Sequence, residues 1–250
     1  MPPNSNSSPP HKKSFVPALS KRIWLALGMA IVIAAATGTF YYWYVPNNQK
    51  STKTSQVYNA TYTKLDSFKL TGSNAGSGIS FDKPVEFGQD SGSTSESNRV
   101  ILSDYKKANE TVAIGSIGAS SVYLDTSILQ EFVKIFNQVV TSPQDKQSQS
   151  APESILLLIS SNLDPRFAAT LGQARALTTP NLKTNTWEFD FTAAPQQAKD
   201  KQALPNIRGK AVFAVSISTF YNFVVYATDD NWQNNQKIWQ QVIDSIKIDQ

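Results

Sequence analysis

The sequence predicts an α+β protein, an antiparallel sheet covered by helices, with one transmembrane helix before the folded domain. Three observations carry this prediction. An apolar stretch that no charge interrupts spans residues 23–45, apolar and polar residues alternate from Trp187 to Thr192, and apolar residues recur at three- and four-residue spacings from Ile128 to Val140. These patterns are typical of a membrane span, a half-exposed strand and an amphipathic helix, respectively.

The stretch 23–45 contains no charged residue, and as a helix it would cross the roughly 30 Å hydrocarbon layer of a bilayer. Four basic and no acidic residues lie in residues 1–22, and the first acidic residue of the chain is Asp66. An excess of Lys and Arg marks the cytoplasmic side of a span. We therefore expect a single-pass protein of the cell membrane with a cytoplasmic N-terminus and an extracytoplasmic C-terminal domain.

A cleaved signal peptide is the alternative interpretation of the same stretch. Ala34–Ala36 is a small-residue pattern suited to cleavage after Ala36, and residues 23–36 have the length of a signal-peptide core. The apolar character nevertheless continues through five aromatic residues to Val45, and the segment before it is long. An uncleaved signal anchor is therefore favoured. Since the chain has no cysteine, lipoprotein processing is excluded.

Composition divides the chain into four parts. Residues 1–22 are rich in Pro, Ser and Asn, which predicts a disordered cytoplasmic tail. The transmembrane signal anchor, 23–45, comes next. Residues 46–56 are polar and predict a flexible tether, and residues 57–249 form the folded extracytoplasmic domain.

The first half of this domain is predicted to consist of β-strands. Val57–Thr63 is rich in β-branched and aromatic residues, and the segment 78–87 is a second strand broken by Pro84. The segments 99–106 and 111–124 are two further strands.

The middle of the domain is predicted to be helical. The helix with the Ile128 to Val140 apolar face has Asp125 or Thr126 as its N-cap. A second helix covers residues 153–163, and a third begins at Asp164-Pro165. The apolar face of the third helix is Phe167, Leu171, Ala174 and Leu177.

The last third predicts a strand at 187–191, a hairpin of strands 207–218 and 220–228, and a final helix capped by Asp229-Asp230-Asn231. One face of that helix is apolar and the other is polar. Eight apolar residues from these elements are predicted to lie in or near the core: Trp187, Phe189, Phe213, Val215, Phe223, Val225, Trp232 and Trp239.

Two regions of the domain resemble the PsbP-like family. The C-terminal strand pair 209–215 and 221–228, then Trp232 and the tail 243–248, is similar to the end of a PsbP-like domain. Gly78–Pro84 resembles the opening strand of that family. The resemblance covers about residues 57–249 and implies the Mog1/PsbP-type α/β/α fold. It supplies no catalytic residue, so it implies a scaffold rather than an activity.

Charge and composition exclude several function classes. Beyond residue 22 the chain carries 19 basic and 19 acidic residues, so the domain lacks the excess of cations that a nucleic-acid binder needs. The single histidine, His11, lies in the predicted tail. The domain therefore has neither imidazole nor thiol for Ser-His-Asp or Cys-His catalysis, or for a zinc site built on His or Cys. No residue is assigned to catalysis, metal binding or cofactor binding.

Three functions remain. The favoured one is a non-catalytic module, attached to the cytoplasmic membrane by residues 23–45, that docks on a protein at the outer surface of that membrane. The second is a small-molecule or lipid-binding domain in which Tyr221, Phe223 or Tyr226 lines a pocket, although a core position is the simpler interpretation of these aromatic residues. The third is a hydrolase that uses carboxylates or a Ser-Lys pair.

Overall fold

The computed structural model describes residues 60–71, 78–89, 99–104, 114–141, 150–177, 184–196 and 204–248. The predicted tail, anchor and tether lie outside these residues. The described strands are β1 Leu65–Leu70, β2 Ile79–Pro84, β3 Phe87–Gln89, β4 Arg99–Asp104, β5 Gly115–Tyr123, β6 Phe167–Leu177, β7 Asn185–Pro195, β8 Ile207–Val215, β9 Thr219–Thr228 and β10 Lys247–Ile248. The helices are α1 Thr126–Thr141, α2 Ser150–Ser160, α3 Asp229–Asn234 and α4 Gln236–Asp244. Within the described ranges, no helix is long and apolar enough to cross a membrane.

The strands form two antiparallel sheets. Seven strands make the central sheet in the order β3-β4-β5-β9-β8-β7-β6, and three make a smaller sheet in the order β1-β2-β10. Strands β5 and β9 pair along nine residues, from Gly115 opposite Ala227 to Tyr123 opposite Thr219. The predicted antiparallel α+β architecture is confirmed.

Each face of the central sheet has its own core. The helix-side core joins α1 and α2 to alternate residues of β7, β8 and β9, with Phe136 stacked 5.2 Å from Phe213. The opposite core joins the small sheet and α4 to the other face, with Phe81 packed 4.9 Å from Phe223. All eight predicted core residues are buried. The pattern of apolar residues therefore identified the buried positions correctly.

Two predicted features are confirmed, and the structure shows the local cause of each. Strand β2 ends at Pro84 and β3 begins at Phe87, as the proline predicted. Asp125 caps α1, because its Oδ1 accepts a hydrogen bond from the backbone N–H of Ser127 at 2.9 Å.

The predicted helix at Asp164-Pro165 is wrong, because residues 167–177 form strand β6. Asp164 begins a turn instead, since its carbonyl accepts the N–H of Phe167 at 3.0 Å and its Oδ1 accepts that of Arg166 at 2.9 Å. The register with β7 shifts between Leu171 and Ala174, which marks a β-bulge.

Two other predictions need correction. Residues 60–63, the described part of the predicted strand 57–63, are not in a strand. The final helix is two helices, α3 and α4, separated at Asn235. The N-cap of α3 is Thr228, without a side-chain capping bond, rather than the predicted Asp229–Asn231.

Candidate interaction surfaces

A buried cluster of neutral polar groups joins the start of the domain to its end. Asn235 Oδ1 accepts the backbone N–H of Tyr62 at 3.3 Å, and its Nδ2 donates to the carbonyl of Ala60 at 2.7 Å and to Asn231 Oδ1 at 2.5 Å. Asn231 Nδ2 donates to Tyr62 Oη and to the carbonyl of Ile114, both at 3.3 Å. Asn235 thus satisfies backbone groups that have no strand partner. We call these five residues the proximal cluster and the end of the sheet that holds them the proximal pole.

Tyr62 fills the space at the proximal pole. Its hydroxyl donates to Asp104 Oδ2 at 3.4 Å, and its ring packs 5.3 Å from Trp239. A Cβ at Gly115 would lie 2.9 Å from the ring of Phe87, so a larger residue there would have to displace that ring. Burial raises the pKa of Tyr62 well above its usual value, and the neighbouring carboxylates of Asp104 and Glu86 add to the rise. Tyr62 is therefore a neutral packing residue.

A charged ladder of Arg175, Glu188, Asp190 and Lys210 crosses β6, β7 and β8 on the face away from α1 and α2. Glu188 Oε1 lies 2.6 Å from Arg175 Nη2 and 2.5 Å from Lys210 Nζ, and Lys210 Nζ lies 2.9 Å from Asp190 Oδ1. The Glu188 side chain is only 2% exposed. Two cations therefore compensate one buried carboxylate.

Lys210 is the central cation of the ladder. Burial by itself would lower the pKa of Lys210, but hydrogen bonds and charge from Glu188 and Asp190 hold it above the usual value. The lysine therefore stays protonated at neutral pH and is not a base.

The two buried carboxylates of the described residues are too far apart to form a catalytic pair. The two buried ones, Asp104 and Glu188, lie on β4 and β7, which are separated by three strands. Four strand spacings are about 19 Å, beyond the roughly 5–10 Å that glycosidase carboxylates require. Lys83 and Lys210 donate to carbonyl and carboxylate oxygens, which is not the geometry of a Ser-Lys pair. In the described ranges, no three His, Cys, Asp or Glu residues are grouped to hold a metal ion.

The opposite end of the central sheet, the hairpin pole, is the β8–β9 turn together with the end of β5. The N–H of Ser216 donates to the carbonyl of Thr219 at 2.9 Å, and the N–H of Thr219 donates to Ser216 Oγ at 3.2 Å. Leu124 N–H donates to the carbonyl of Ser218 at 3.0 Å, which fixes the turn to the end of β5. Two hydrogen bonds within the turn and one to the end of β5 thus fix its conformation.

The hairpin pole presents apolar side chains to solvent. Ile217 at the tip of the turn is 89% exposed, and Tyr123 at the end of β5 is 62% exposed. Two-residue hairpin turns favour Asn and Gly, whereas this turn consists of Ile217 and Ser218. A β-branched apolar residue at this position opposes both the turn preference and the hydrophobic effect.

The residues that the sequence proposed for a pocket are in the core. Tyr221, Phe223 and Tyr226 are all buried, as the simpler interpretation held. Trp232 stacks on Trp239 with ring centroids 5.8 Å apart, so both rings pack inside the fold.

Sequence reasoning missed Ile217 and Glu188. Ile217 lay within a predicted strand. Glu188 alternates with Trp187 and Phe189, so the pattern placed it in solvent, whereas its cations in β6 and β8 cover it.

No family model and no curated protein matches the sequence. Among solved structures, cyanobacterial PsbP of Synechocystis is 8% identical, with 80% of this chain and 98% of that chain covered at a TM-score of 0.46. The Ran-binding protein Mog1p of Saccharomyces cerevisiae is 8% identical, with 74% and 96% covered at 0.39. LpqN of Mycobacterium tuberculosis, involved in cell envelope biogenesis, is 12% identical, with 75% and 93% covered at 0.35. PsbP and Mog1 structures are thus among the matches. The similarity assigns no activity to this chain.

Proposed function

We propose that this chain is a single-pass protein of the cell membrane whose extracytoplasmic domain docks, without catalysis, on a protein at the outer surface of that membrane. The observation that carries the proposal is the hairpin pole, where a fixed turn holds Ile217 in solvent and Tyr123 at the end of β5 is also exposed. A preorganised apolar side chain loses little freedom on binding, which favours docking.

The position of the hairpin pole supports this role. Strand β5 runs from the proximal pole to the hairpin pole in nine residues, a length of about 27 Å. The described chain begins at Ala60, which the proximal cluster holds. A tether that leaves the domain at the proximal pole leaves the hairpin pole accessible to a partner.

The arrangement of charge favours docking over chemistry. The ladder carboxylates and Lys210 bind one another, and Asp104 and Glu188 lie far apart. Catalysis needs groups that can act on a substrate atom, whereas the charged groups of the ladder bind one another.

A protein partner suits the hairpin pole better than a lipid surface does. Membrane-binding apolar turns are normally flanked by Lys or Arg, which anionic headgroups attract. Here the neighbours of Ile217 are Ser216 and Ser218, and Asp125 follows Tyr123 by two residues. We therefore expect an apolar pocket on the partner, surrounded by neutral or basic groups.

Cross-linking in native membranes tests the proposal. Tagged full-length protein should recover one recurring, near-stoichiometric protein. Ile217→Asp should reduce its recovery at least tenfold, because a carboxylate cannot enter an apolar pocket. Leu157→Asp is the matched control, since Leu157 is also an exposed apolar residue but lies on α2. It should leave recovery unchanged.

Other outcomes would contradict this function. A protein that cross-links to nothing in its own membrane would not be a docking module, and a small molecule that co-purifies with it would favour the ligand-binding alternative. Equal loss with Ile217→Asp and Leu157→Asp would remove the hairpin pole as the docking surface while keeping a partner. An N-terminal tag retained on the mature membrane protein would support the uncleaved anchor.

A further inference from the structure

Strand β6 is the least protected edge of the described sheets. The edge strands β3 and β10 have three and two residues, and the edge strand β1 carries Asp66 and Lys69. Strand β6 has eleven residues, no proline and a single charge, Arg175. Proteins normally blunt an open edge by shortness, charge or proline, because its backbone groups are free to pair with another strand.

The hydrogen bonds around Arg166 show which backbone groups of β6 point outward. The N–H of Gln196 donates to the carbonyl of Arg166 at 2.8 Å, so Arg166 faces β7. The backbone N–H and C=O groups of successive residues point alternately to the two sides of an antiparallel strand. Those of Phe167, Ala169 and Leu171 therefore point away from β7.

Phe167 satisfies its own outward groups. Its N–H donates to the carbonyl of Asp164 at 3.0 Å, and its carbonyl accepts from Gln196 Nε2 at 3.1 Å. Among the described residues, nothing bonds to the outward groups of Ala169 and Leu171. Four adjacent backbone groups, two donors and two acceptors, are thus available.

The bulge limits what can pair with this edge. The regular part of β6 runs from Phe167 to Leu171, and the register is broken at Gly172 and Gln173. A bulge bends the strand and ends continuous pairing. The available edge is therefore short and contains no charged residue.

We propose that the β6 edge pairs with β6 of a second copy of this chain, antiparallel about a two-fold axis at Thr170. This register places Ala169 of each copy opposite Leu171 of the other, so all four available groups form hydrogen bonds. In this register, residues whose backbone groups point away from β7 lie opposite each other, and no two residues of like charge are paired. The other outer strand of the central sheet, β3, has only three residues, so the pairing closes at a dimer.

A five-residue pairing is a small interface and gives weak association in solution. This step rests on the membrane attachment of the proposed function: copies that share a membrane meet at a raised effective concentration, so the dimer is expected in native membranes rather than in dilute solution. The pairing uses an edge distinct from the hairpin pole. It does not require the proposed docking partner.

The absence of cysteine from the chain makes disulfide trapping a direct test. We would compare Thr170→Cys with Thr192→Cys in full-length protein in native membranes. Thr170 and Thr192 are exposed cross-strand neighbours in β6 and β7. Across the proposed axis the two Thr170 Cα atoms lie about 4.5 Å apart, within disulfide range, whereas the Thr192 atoms lie about 14 Å apart.

Mild oxidation should convert most of the Thr170→Cys protein to a covalent dimer and at least tenfold less of the Thr192→Cys protein. Equal dimer from both variants would indicate random collision and overturn the proposal, as would no dimer from either. A disulfide or mixed adduct of Thr170→Cys with a different protein would assign the edge to that protein's strand instead.

A charge exchange tests the same register without a cross-link. In cells that express two differently tagged copies, Thr170→Glu in both should reduce their co-purification at least fivefold, because two carboxylates meet at the axis. Thr170→Glu with Thr170→Lys should restore it. Since Thr170 is exposed, neither variant endangers folding. Co-purification that is insensitive to both substitutions would contradict pairing at Thr170.

Discussion

The proximal cluster and the charged ladder satisfy buried polar groups in two different ways. In the proximal cluster, the neutral amides of Asn231 and Asn235 replace missing backbone partners, and Asn235 bonds to Tyr62, which lies 173 positions earlier in the chain. In the ladder, the cations of neighbouring strands neutralise Glu188, and Arg175 remains 57% exposed. The neutral cluster connects distant parts of the chain, whereas the ladder connects strands that already pair. Breaking the neutral cluster should therefore cost more.

The largest expected effect is that of Asn235→Ala. The substitution removes the partners of the Tyr62 N–H and the Ala60 carbonyl and leaves buried groups unsatisfied, each at a cost of about 1–3 kcal/mol. We expect the free energy of unfolding to fall by about 3 kcal/mol in urea titrations. Asn234→Ala, at the exposed neighbouring position, should change it by less than about 0.5 kcal/mol. Similar losses from both variants would mean that Asn235 does not hold the first residues of the domain.

Glu188→Gln should have the next largest effect. It removes the charge that compensates Lys210, whose side chain is 17% exposed and keeps Asp190 as a partner. We expect a loss of about 2 kcal/mol, less than the 3–5 kcal/mol of a fully buried pair. Asp190→Asn, with a side chain 43% exposed, is the matched control and should cost about 1 kcal/mol or less. A larger loss from Asp190→Asn would place the centre of the ladder at Asp190.

Alkaline pH should lower the contribution of both the proximal cluster and the charged ladder to the stability of the fold. The pKa of Tyr62 is raised from 10.0 by burial. The pKa of Lys210 is raised from 10.5 by Glu188 and Asp190, against the opposing effect of its burial. A raised folded pKa gives stability that is complete below the unfolded value and is lost as pH rises toward the folded value. Urea unfolding between pH 8 and 11 should therefore show a decline above about pH 10.

Tyr62→Phe separates the two contributions to this decline. The variant has no phenol to ionise, so its alkaline decline should be shallower than that of the native chain, with only the ladder contribution left. An unchanged slope would assign the whole decline to other groups.

Arg175→Gln should have the smallest effect. Because Arg175 is mostly exposed, its ion pair with Glu188 is screened by solvent, and Lys210 continues to compensate the carboxylate. We expect a loss of about 0.5 kcal/mol that disappears in high salt. A loss as large as that of Glu188→Gln would show that Arg175, rather than Lys210, provides most of the compensation.

Strand β6 shows why part of the fold was not predictable from the sequence. Phe167, Ala169, Leu171 and Ala174 all contribute to the helix-side core. The bulge at Gly172 and Gln173 moves Ala174 to the same face as Leu171, which turns a two-residue period into a three-residue step. The resulting spacing is the one expected of a helix, so periodicity alone gave the wrong element.

The candidate surfaces were predicted less well than the core. Exposure of Ile217 depends on where the β8–β9 hairpin turns, and the turn lacks the Asn or Gly that normally marks such a position. Burial of Glu188 depends on Arg175 and Lys210, which the sheet places beside it. Neither fact has a local signal.

The sequence by itself determined the α+β class, most strands, helix α1 and the eight core residues, because periodic burial follows from local geometry. Tertiary structure decided the break at Asn235, the two-residue strand β10, the ladder and the open edge of β6. Each of these depends on groups that are distant in sequence and are brought together only when the strands pair. Local propensity does not encode these long-range contacts, because the backbone and side-chain partners that form them belong to other elements.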